Sequence, residues 1–247
     1  MSQKTNFAFL HGGGQGDWVW RDTIAALHLQ EPDAVGTVLG LNVPGCGAKR
    51  QRRTDDLTID DIARELIADI EDAGMRDVVI VGHSQAGQVI PFMAQMRPDL
   101  FRRLVYVTCS LPLPGQTVLE MIGAIPASTH GDTAAAGARL SQERYRALFC
   151  NDMPPTQADA FLAELGRDTW PARTYSATDW KFEIARPIPS TFVLCRTDPC
   201  LPMAWQETFA ERLKTDRRVV IDAGHQAMVT RPQALAEILL IEAGANA

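Results

Sequence analysis

The chain is predicted to be an α/β protein, a mostly parallel sheet of about six strands flanked by helices and carrying an inserted helical cap. Three observations predict it. Short β-branched runs alternate with helical patterns, one proline-rich stretch breaks that rhythm, and Val78-Val79-Ile80-Val81-Gly82-His83-Ser84 runs a buried strand straight into a Gly-x-Ser turn. Strands alternating with helices imply βαβ crossovers, and continuous apolar runs imply strands covered on both faces.

In order, the strands read Asn6 to Leu10, Gly36 to Val43, Val78 to Val81, Leu104 to Thr108, Thr191 to Cys195 and Arg218 to Ile221. The clearest helix is Thr58 to Ala73, with Ile59, Ile62, Ala63, Leu66, Ile67 and Ile70 on one face, Thr58 and Asp61 as a capping pair, and Gly74 as its stop. Pro232 opens a closing helix through Ala234 to Ile241. Between Pro112 and Pro202 lie ten of the fifteen prolines, and Gly123, Gly131 and Gly137 interrupt the apolar segments, so short helices and irregular turns are expected there. Phe149, Phe161, Leu162, Trp170 and Trp180 make that stretch too apolar for a solvated linker. Residues 112–189 are therefore read as a cap, and 1–111 with 190–247 as the core. Lys49-Arg50-Gln51-Arg52-Arg53, followed by Asp55 and Asp56, reads as a solvated loop.

The composition, with 46% hydrophobic and 22% charged residues, is that of an ordinary globular protein. A net charge of −6 excludes the basic face that nucleic-acid binding needs. No apolar stretch approaches the roughly twenty residues that span a bilayer, so no membrane partner is expected. The first six residues lack a signal peptide's apolar core, and five cysteines without Cys-x-x-Cys spacing suggest reduced thiols, so a cytoplasmic location is expected. Neither a metal site nor a cofactor is indicated. A homodimer is compatible with the chain, which carries no signature of oligomeric state.

Gly82-His83-Ser84 has the form of a nucleophile elbow, a strained strand-to-helix turn that lifts a serine hydroxyl above the carboxyl end of a sheet. The motif's usual closing glycine is Ala86 here, with Gly87 one place later. A serine needs a base, and an acid to orient that base. His225 follows the last strand, in the loop Asp222-Ala223-Gly224-His225, and Asp198 follows the strand ending at Cys195. Asp222 is a rival acid, but it lies only three residues before His225. The order Ser84, Asp198, His225 differs from those of chymotrypsin-like and subtilisin-like proteases. The oxyanion of such a site needs two preorganised N–H donors. Gln85 would give one from its backbone, and the turn His11-Gly12-Gly13-Gly14 the other. That turn lacks the lysine and spacing of a phosphate loop, so nucleotide binding is not expected.

With these residues placed, the chain resembles the α/β-hydrolase superfamily, and within it the methyl-salicylate esterase and hydroxynitrile lyase branch. Phe9-Leu10-His11-Gly12-Gly13-Gly14-Gln15-Gly16-Asp17-Trp18-Val19-Trp20 is similar to the branch's His-Gly-x-x-x-Gly-x-Trp-x-Trp opening. Cys195-Arg196-Thr197-Asp198-Pro199 resembles its acid loop, and His225-Gln226-Ala227-Met228 its histidine loop. The resemblance implies the α/β-hydrolase fold, no cofactor, and Gly13 as the second oxyanion donor with Gly14 as its neighbour. It also implies a substrate site near Gly12, Gly14, His83, Ser110, Leu111, Phe149 and Trp170. Lyases of the branch carry a lysine after the histidine and a threonine after the first-strand histidine, where this chain has Gln226 and Gly12. The expected activity is hydrolysis of small, hydrophobic or aromatic carboxylic esters through an acyl-enzyme. The alternatives are a hydroxynitrile or other carbon–carbon lyase on the same site and a non-catalytic ligand-binding protein.

Overall fold

The computed structural model describes residues 4–124, 141–180, 182 and 188–244. Of the cap features read from the sequence, Gly131 and Gly137 lie outside them. Six strands, β1 (Thr5–Leu10), β2 (Val35–Leu41), β3 (Val78–His83), β4 (Phe101–Val107), β5 (Ser190–Cys195) and β6 (Arg217–Ile221), form one sheet in the order β2-β1-β3-β4-β5-β6. All neighbours pair in parallel. Each strand matches a predicted run to within a few residues, as expected of β-branched segments bounded by polar turns.

Residues along the strands alternate between two helical layers. Ala8, Leu10, Ile80, Leu104, Tyr106 and Phe192 face one apolar cluster, while Phe7, Phe9, Val79, Val81, Val105 and Val193 face the other. The first layer contains α2 (Ile59–Asp72), whose apolar stripe is buried as its periodicity predicts. Five large aliphatic side chains from this one helix leave water, each contributing about 1.5–3 kcal/mol. Thr58 caps it in a reciprocal box with Asp61, and Gly74, at φ 68°, takes the left-handed conformation that ends it. The second layer contains α1 (Arg21–Gln30) and the closing helix Pro232–Glu242.

Chain direction across the sheet reverses at β1, which has β2 on one side and β3 on the other. At such a point the loops leaving neighbouring strands diverge to opposite faces and open a crevice above the carboxyl ends. The glycine turn leaves β1 and the Ser84 turn leaves β3, so both border that crevice. Within 112–189 the described elements are helices Val118–Ala124, Gln142–Phe149 and Pro155–Glu164 and a 3-10 turn Ala172–Tyr175.

The basic run 49–53 departs from the solvated loop expected of it. Lys49 pairs with Asp69 and Glu65 of α2, and Arg50 reaches the buried Asp168 of the cap at 2.5 Å. Lys49, Arg50 and Arg52 thus meet acidic partners distant in sequence, whereas Arg53 stays exposed and pairs with the neighbouring Asp55 as expected.

Candidate active site

Ser84 sits at φ 51°, a left-handed conformation that costs a non-glycine residue free energy and persists only where packing fixes it. The packing is visible in Gly82, where a Cβ would overlap Ile90 and come within 2.9 Å of the Ala86 methyl. Alanine is therefore tolerated at 86 because residue 82 has no side chain. Gly87 must be glycine as well, since a Cβ there would stand 2.8 Å from Cys109 and 2.9 Å from the Ser110 carbonyl. The strand does not run straight into an α-helix. Ser84–Gln88 form a 3-10 turn, closed by Val89 N–H donating to the Ala86 carbonyl, before the helix Ile90–Met96 begins.

The sequence-predicted residues Ser84, Asp198 and His225 meet at the carboxyl ends of β3, β5 and β6. His225 Nδ1 lies 2.7 Å from Asp198 Oδ2, and its Nε2 lies 3.1 Å from Ser84 Oγ. A carboxylate only accepts, so Nδ1 carries a proton and Nε2 faces the hydroxyl. Burial is the largest influence on His225 and lowers its pKa, but the charges and hydrogen bonds of Asp198 and Cys200 together outweigh it and hold the imidazole well above its ordinary value. Asp198 is itself fully engaged. Oδ1 accepts from the Cys200 and Leu201 N–H groups at 2.7 and 2.9 Å, and Oδ2 accepts from the Thr108 hydroxyl at 2.6 Å. Thr108 carries no sequence motif. It stands one residue past β4 at φ 39°, rare for a β-branched side chain, and that turn aims its hydroxyl at the acid. Asp222, the rival acid, offers only its carbonyl, to Arg231.

The glycine turn is held from behind. The Gly12 carbonyl accepts from His11 Nδ1 at 2.8 Å and from Trp170 Nε1 at 3.1 Å. In a trans peptide the C=O and the next N–H point opposite ways, so two donors on the Gly12 carbonyl turn the Gly13 N–H away from them. His11 Nε2 accepts from Val43 N–H, which fixes its tautomer, and burial lowers its pKa to about 4, so the ring stays neutral. Gly12 N–H donates to Gln15 Oε1, and Gln15 Nε2 donates to Gln226 Oε1. Gln226 is thus tied to the turn rather than to the cavity.

A cavity of about 420 Å³ opens beside Ser84, small for a ligand pocket. Of the residues expected at a substrate site, Gly14, Ser110 and Phe149 line it, as does Gly13. The other four do not, and each has a physical reason. Gly12 lies against the elbow, where a Cβ would stand 2.8 Å from His83 Nδ1. His83, fully buried, donates from Nε2 to the His225 carbonyl at 2.9 Å and packs its ring 4.7 Å from His225, so it backs His225 rather than facing the cavity. Burial and the neighbouring His225 keep the His83 pKa well below its ordinary value. Leu111 is buried in the core, and Trp170 spends its indole N–H on the Gly12 carbonyl. Residues that the sequence did not single out, Gln88 and Tyr175 among them, complete the lining.

Residues of the 112–189 segment reach the loops that carry Asp198 and His225. Asn151 Nδ2 donates to the Thr197 carbonyl, while Asp152 Oδ2 accepts from Gly224 N–H at 2.9 Å and the Thr230 hydroxyl at 2.8 Å. Phe149 sets its ring edge-on to His225, 5.4 Å between centroids. Among the described residues no group of three or more His, Cys, Asp or Glu side chains is placed to hold a metal ion. No described helix is long and apolar enough to cross a membrane.

The fold has known counterparts. The chain is 27% identical over 67% of its length to a carbendazim-hydrolysing esterase of Nocardioides sp. strain SG-4G, of whose length it spans 65%, under two thirds. It is 25% identical over 95% of its length to methylesterase 9 of Arabidopsis thaliana, spanning 96% of that protein. The crystal structure of polyneuridine aldehyde esterase superposes with a TM-score of 0.77 at 19% identity, covering 97% of this chain and 99% of the other. Residues 7–238 match the model of the alpha/beta hydrolase family, and the chain belongs to that family.

Proposed function

We propose that the protein is a carboxylic-ester hydrolase that works through an acyl-enzyme on Ser84. The observation that carries this reading is the continuous relay from Ser84 Oγ through His225 to Asp198, at 3.1 and 2.7 Å. His225 Nε2 takes the serine proton as Oγ attacks the ester carbonyl, and the raised pKa of the ring favours the imidazolium so formed. The backbone N–H groups of Gly13 and Gln85 then receive the oxyanion, each such donor contributing about 3–4 kcal/mol. His225 returns the proton to the departing alkoxide. A water, activated by the same ring, releases the acid. The relatives' names, an esterase and a methylesterase, agree with this chemistry.

The cavity's small volume and its apolar lining, including Val118, Met121, Ile122 and Leu148, favour small hydrophobic or aromatic esters. A lyase reading is disfavoured, because Gln226 supplies no cation and its amide oxygen is already bonded to Gln15. Ser84→Ala is expected to lower turnover of phenyl acetate by roughly 10⁶-fold while leaving the fold intact. A fluorophosphonate probe should label Ser84 in the native protein. Full activity in the variant would overturn the mechanism, and absence of labelling together with absence of turnover would point to a ligand-binding role.

A further inference from the structure

The stretch Leu165–Trp170 lies along the glycine turn that leaves β1. Gly166 N–H donates to the Gly14 carbonyl at 2.9 Å, Thr169 N–H to the Gly45 carbonyl at 3.4 Å, and Trp170 Nε1 to the Gly12 carbonyl at 3.1 Å. Arg50 adds its ion pair with the buried Asp168 at 2.5 Å. Backbones meet closely here. A Cβ on Gly45 would stand 2.6 Å from the Thr169 carbonyl, and one on Gly16 would stand 3.1 Å from Asp168 Oδ2. Trp170 itself is buried and sets its ring edge-on to His11, 6.0 Å between centroids.

A carbonyl oxygen has two lone pairs, and on Gly12 both are used, by His11 Nδ1 and by the indole. Neither donor is ambiguous. An indole N–H can only donate, and His11 Nδ1 carries the ring proton because Nε2 accepts from Val43 N–H. The Gly12–Gly13 peptide would otherwise rotate easily, since neither flanking residue has a Cβ to oppose it. Rotated, it would present its carbonyl where its N–H now points. Gly13 lines the cavity, and among the described residues no acceptor meets its N–H. We propose that Trp170 is a positioning residue for the ester hydrolysis: with His11, its indole N–H holds the Gly12–Gly13 peptide so that the Gly13 N–H faces the developing oxyanion. This role rests on the esterase reading above and adds a condition to it. The Gly13 donor is in place only while the stretch that carries Asp168 and Trp170 is docked on the turn.

Trp170→Phe deletes the donor and keeps a ring in its place. His11 still holds the Gly12 carbonyl, so the loss should be smaller than that of a whole oxyanion donor: kcat for phenyl acetate should fall by about 10- to 100-fold, with KM within about twofold of native. The acid limb of the pH profile should stay in place, because the relay through His225 is untouched. A matched pair of inhibitors gives the decisive readout. Benzyl trifluoromethyl ketone accepts Ser84 Oγ at its carbonyl carbon, the serine proton passes to His225, and the ketone oxygen becomes an oxyanion. The corresponding alcohol has nearly the same shape and forms none. In the variant the ketone should lose affinity by about the factor lost in kcat, and the alcohol by less than about twofold. Equal losses for ketone and alcohol, or a native kcat, would overturn the role of Trp170 and leave the esterase reading standing. Should the phenylalanine variant fail to fold, benzothienylalanine at position 170, with sulfur in place of the indole N–H, gives the same comparison. A native protein that neither hydrolyses phenyl acetate nor binds the ketone more tightly than the alcohol would sink the esterase reading, and this role with it.

Discussion

Replacing Asp198 with asparagine removes one charge and almost no volume, and the structure dictates how the new amide must lie. Oδ1 receives two backbone N–H groups, from Cys200 and Leu201, so the amide oxygen has to take that place. The NH₂ group then takes the place of Oδ2, 2.7 Å from His225 Nδ1, while the Thr108 hydroxyl rotates from donor to acceptor. Facing a donor, Nδ1 must accept, and the imidazole proton moves to Nε2, where it blocks uptake of the serine proton. A wrong tautomer of this kind costs about 10⁴-fold in kcat in a serine protease, and a similar loss is expected here. The charge change has a separate signature. In the native protein burial lowers the His225 pKa, and Asp198 and Cys200 together raise it further than burial lowers it, so the acid limb of kcat/KM should lie above 6.5, its ordinary value. Activity requires the neutral base and so rises with pH through that limb. Without the Asp198 charge, burial remains the largest influence and only Cys200 still opposes it, so the limb of the residual activity should move to lower pH. The assay is kcat/KM for phenyl acetate from about pH 5 to pH 10, with thermal unfolding as the control for folding. Residual activity within tenfold of native, or an acid limb that stays in place, would refute the assignment of Asp198 as the orienting acid.

Three further outcomes follow from named contacts. Thr108→Val keeps the β-branched shape and deletes the hydroxyl 2.6 Å from Asp198; a hydrogen bond to a charged group contributes about 1.5–3 kcal/mol, so kcat should fall by about 10- to 100-fold, and an unchanged kcat would remove Thr108 from the relay. Gly13→Ala puts a methyl where Gln85 Oε1 lies, so that side-chain end must swing aside while the backbone N–H is kept; kcat should fall by less than about tenfold, and a fall of about 10²-fold or more would show that the methyl displaces the glycine turn itself. Thr58→Ala removes the cap of α2, far from the cavity; stability should fall by about 1 kcal/mol, read as a lower midpoint in urea with kcat unchanged.

What the sequence carried of this site, and what it did not, divides along a physical line. Strands buried on both faces announce themselves as β-branched runs, and residues at their carboxyl ends share one edge of the sheet whatever their separation in sequence. Ser84, Asp198 and His225 were legible for that reason. Side-chain direction was not. His83 ends a strand beside the nucleophile, so sequence proximity suggested a substrate contact, yet its ring turns inward to the His225 carbonyl. Trp170 belongs to a segment without periodicity, and nothing local reveals that its N–H ends on a carbonyl 158 residues away. Thr108 was read as a strand residue, and only its positive φ, a product of the tertiary packing, turns it towards the acid. Gln85 and Gln88 share a face in a 3-10 turn, a periodicity hidden when the segment is read as an α-helix.

The same contacts bear on how catalysis and selectivity are divided in the molecule. A cap that merely covered the crevice would set the shape of the cavity and leave the proton relay to the core. Here the 112–189 segment holds three parts of the proposed site: Trp170 bonds the Gly12 carbonyl, Asn151 ties the loop that carries Asp198, and Asp152 ties the loop that carries His225. The tie is sterically close, since a Cβ on Gly224 would stand 2.6 Å from Asp152 Oδ1. Displacing the corner Cys150–Asp152 would therefore move the acid and base loops relative to Ser84, and errors of an ångström in such geometry cost orders of magnitude in rate. The cavity wall made by Val118, Met121 and Ile122 has no comparable bond to the relay among the contacts described. Selectivity can vary along that wall without disturbing the chemistry, whereas the corner beneath Phe149 is constrained by the relay it holds.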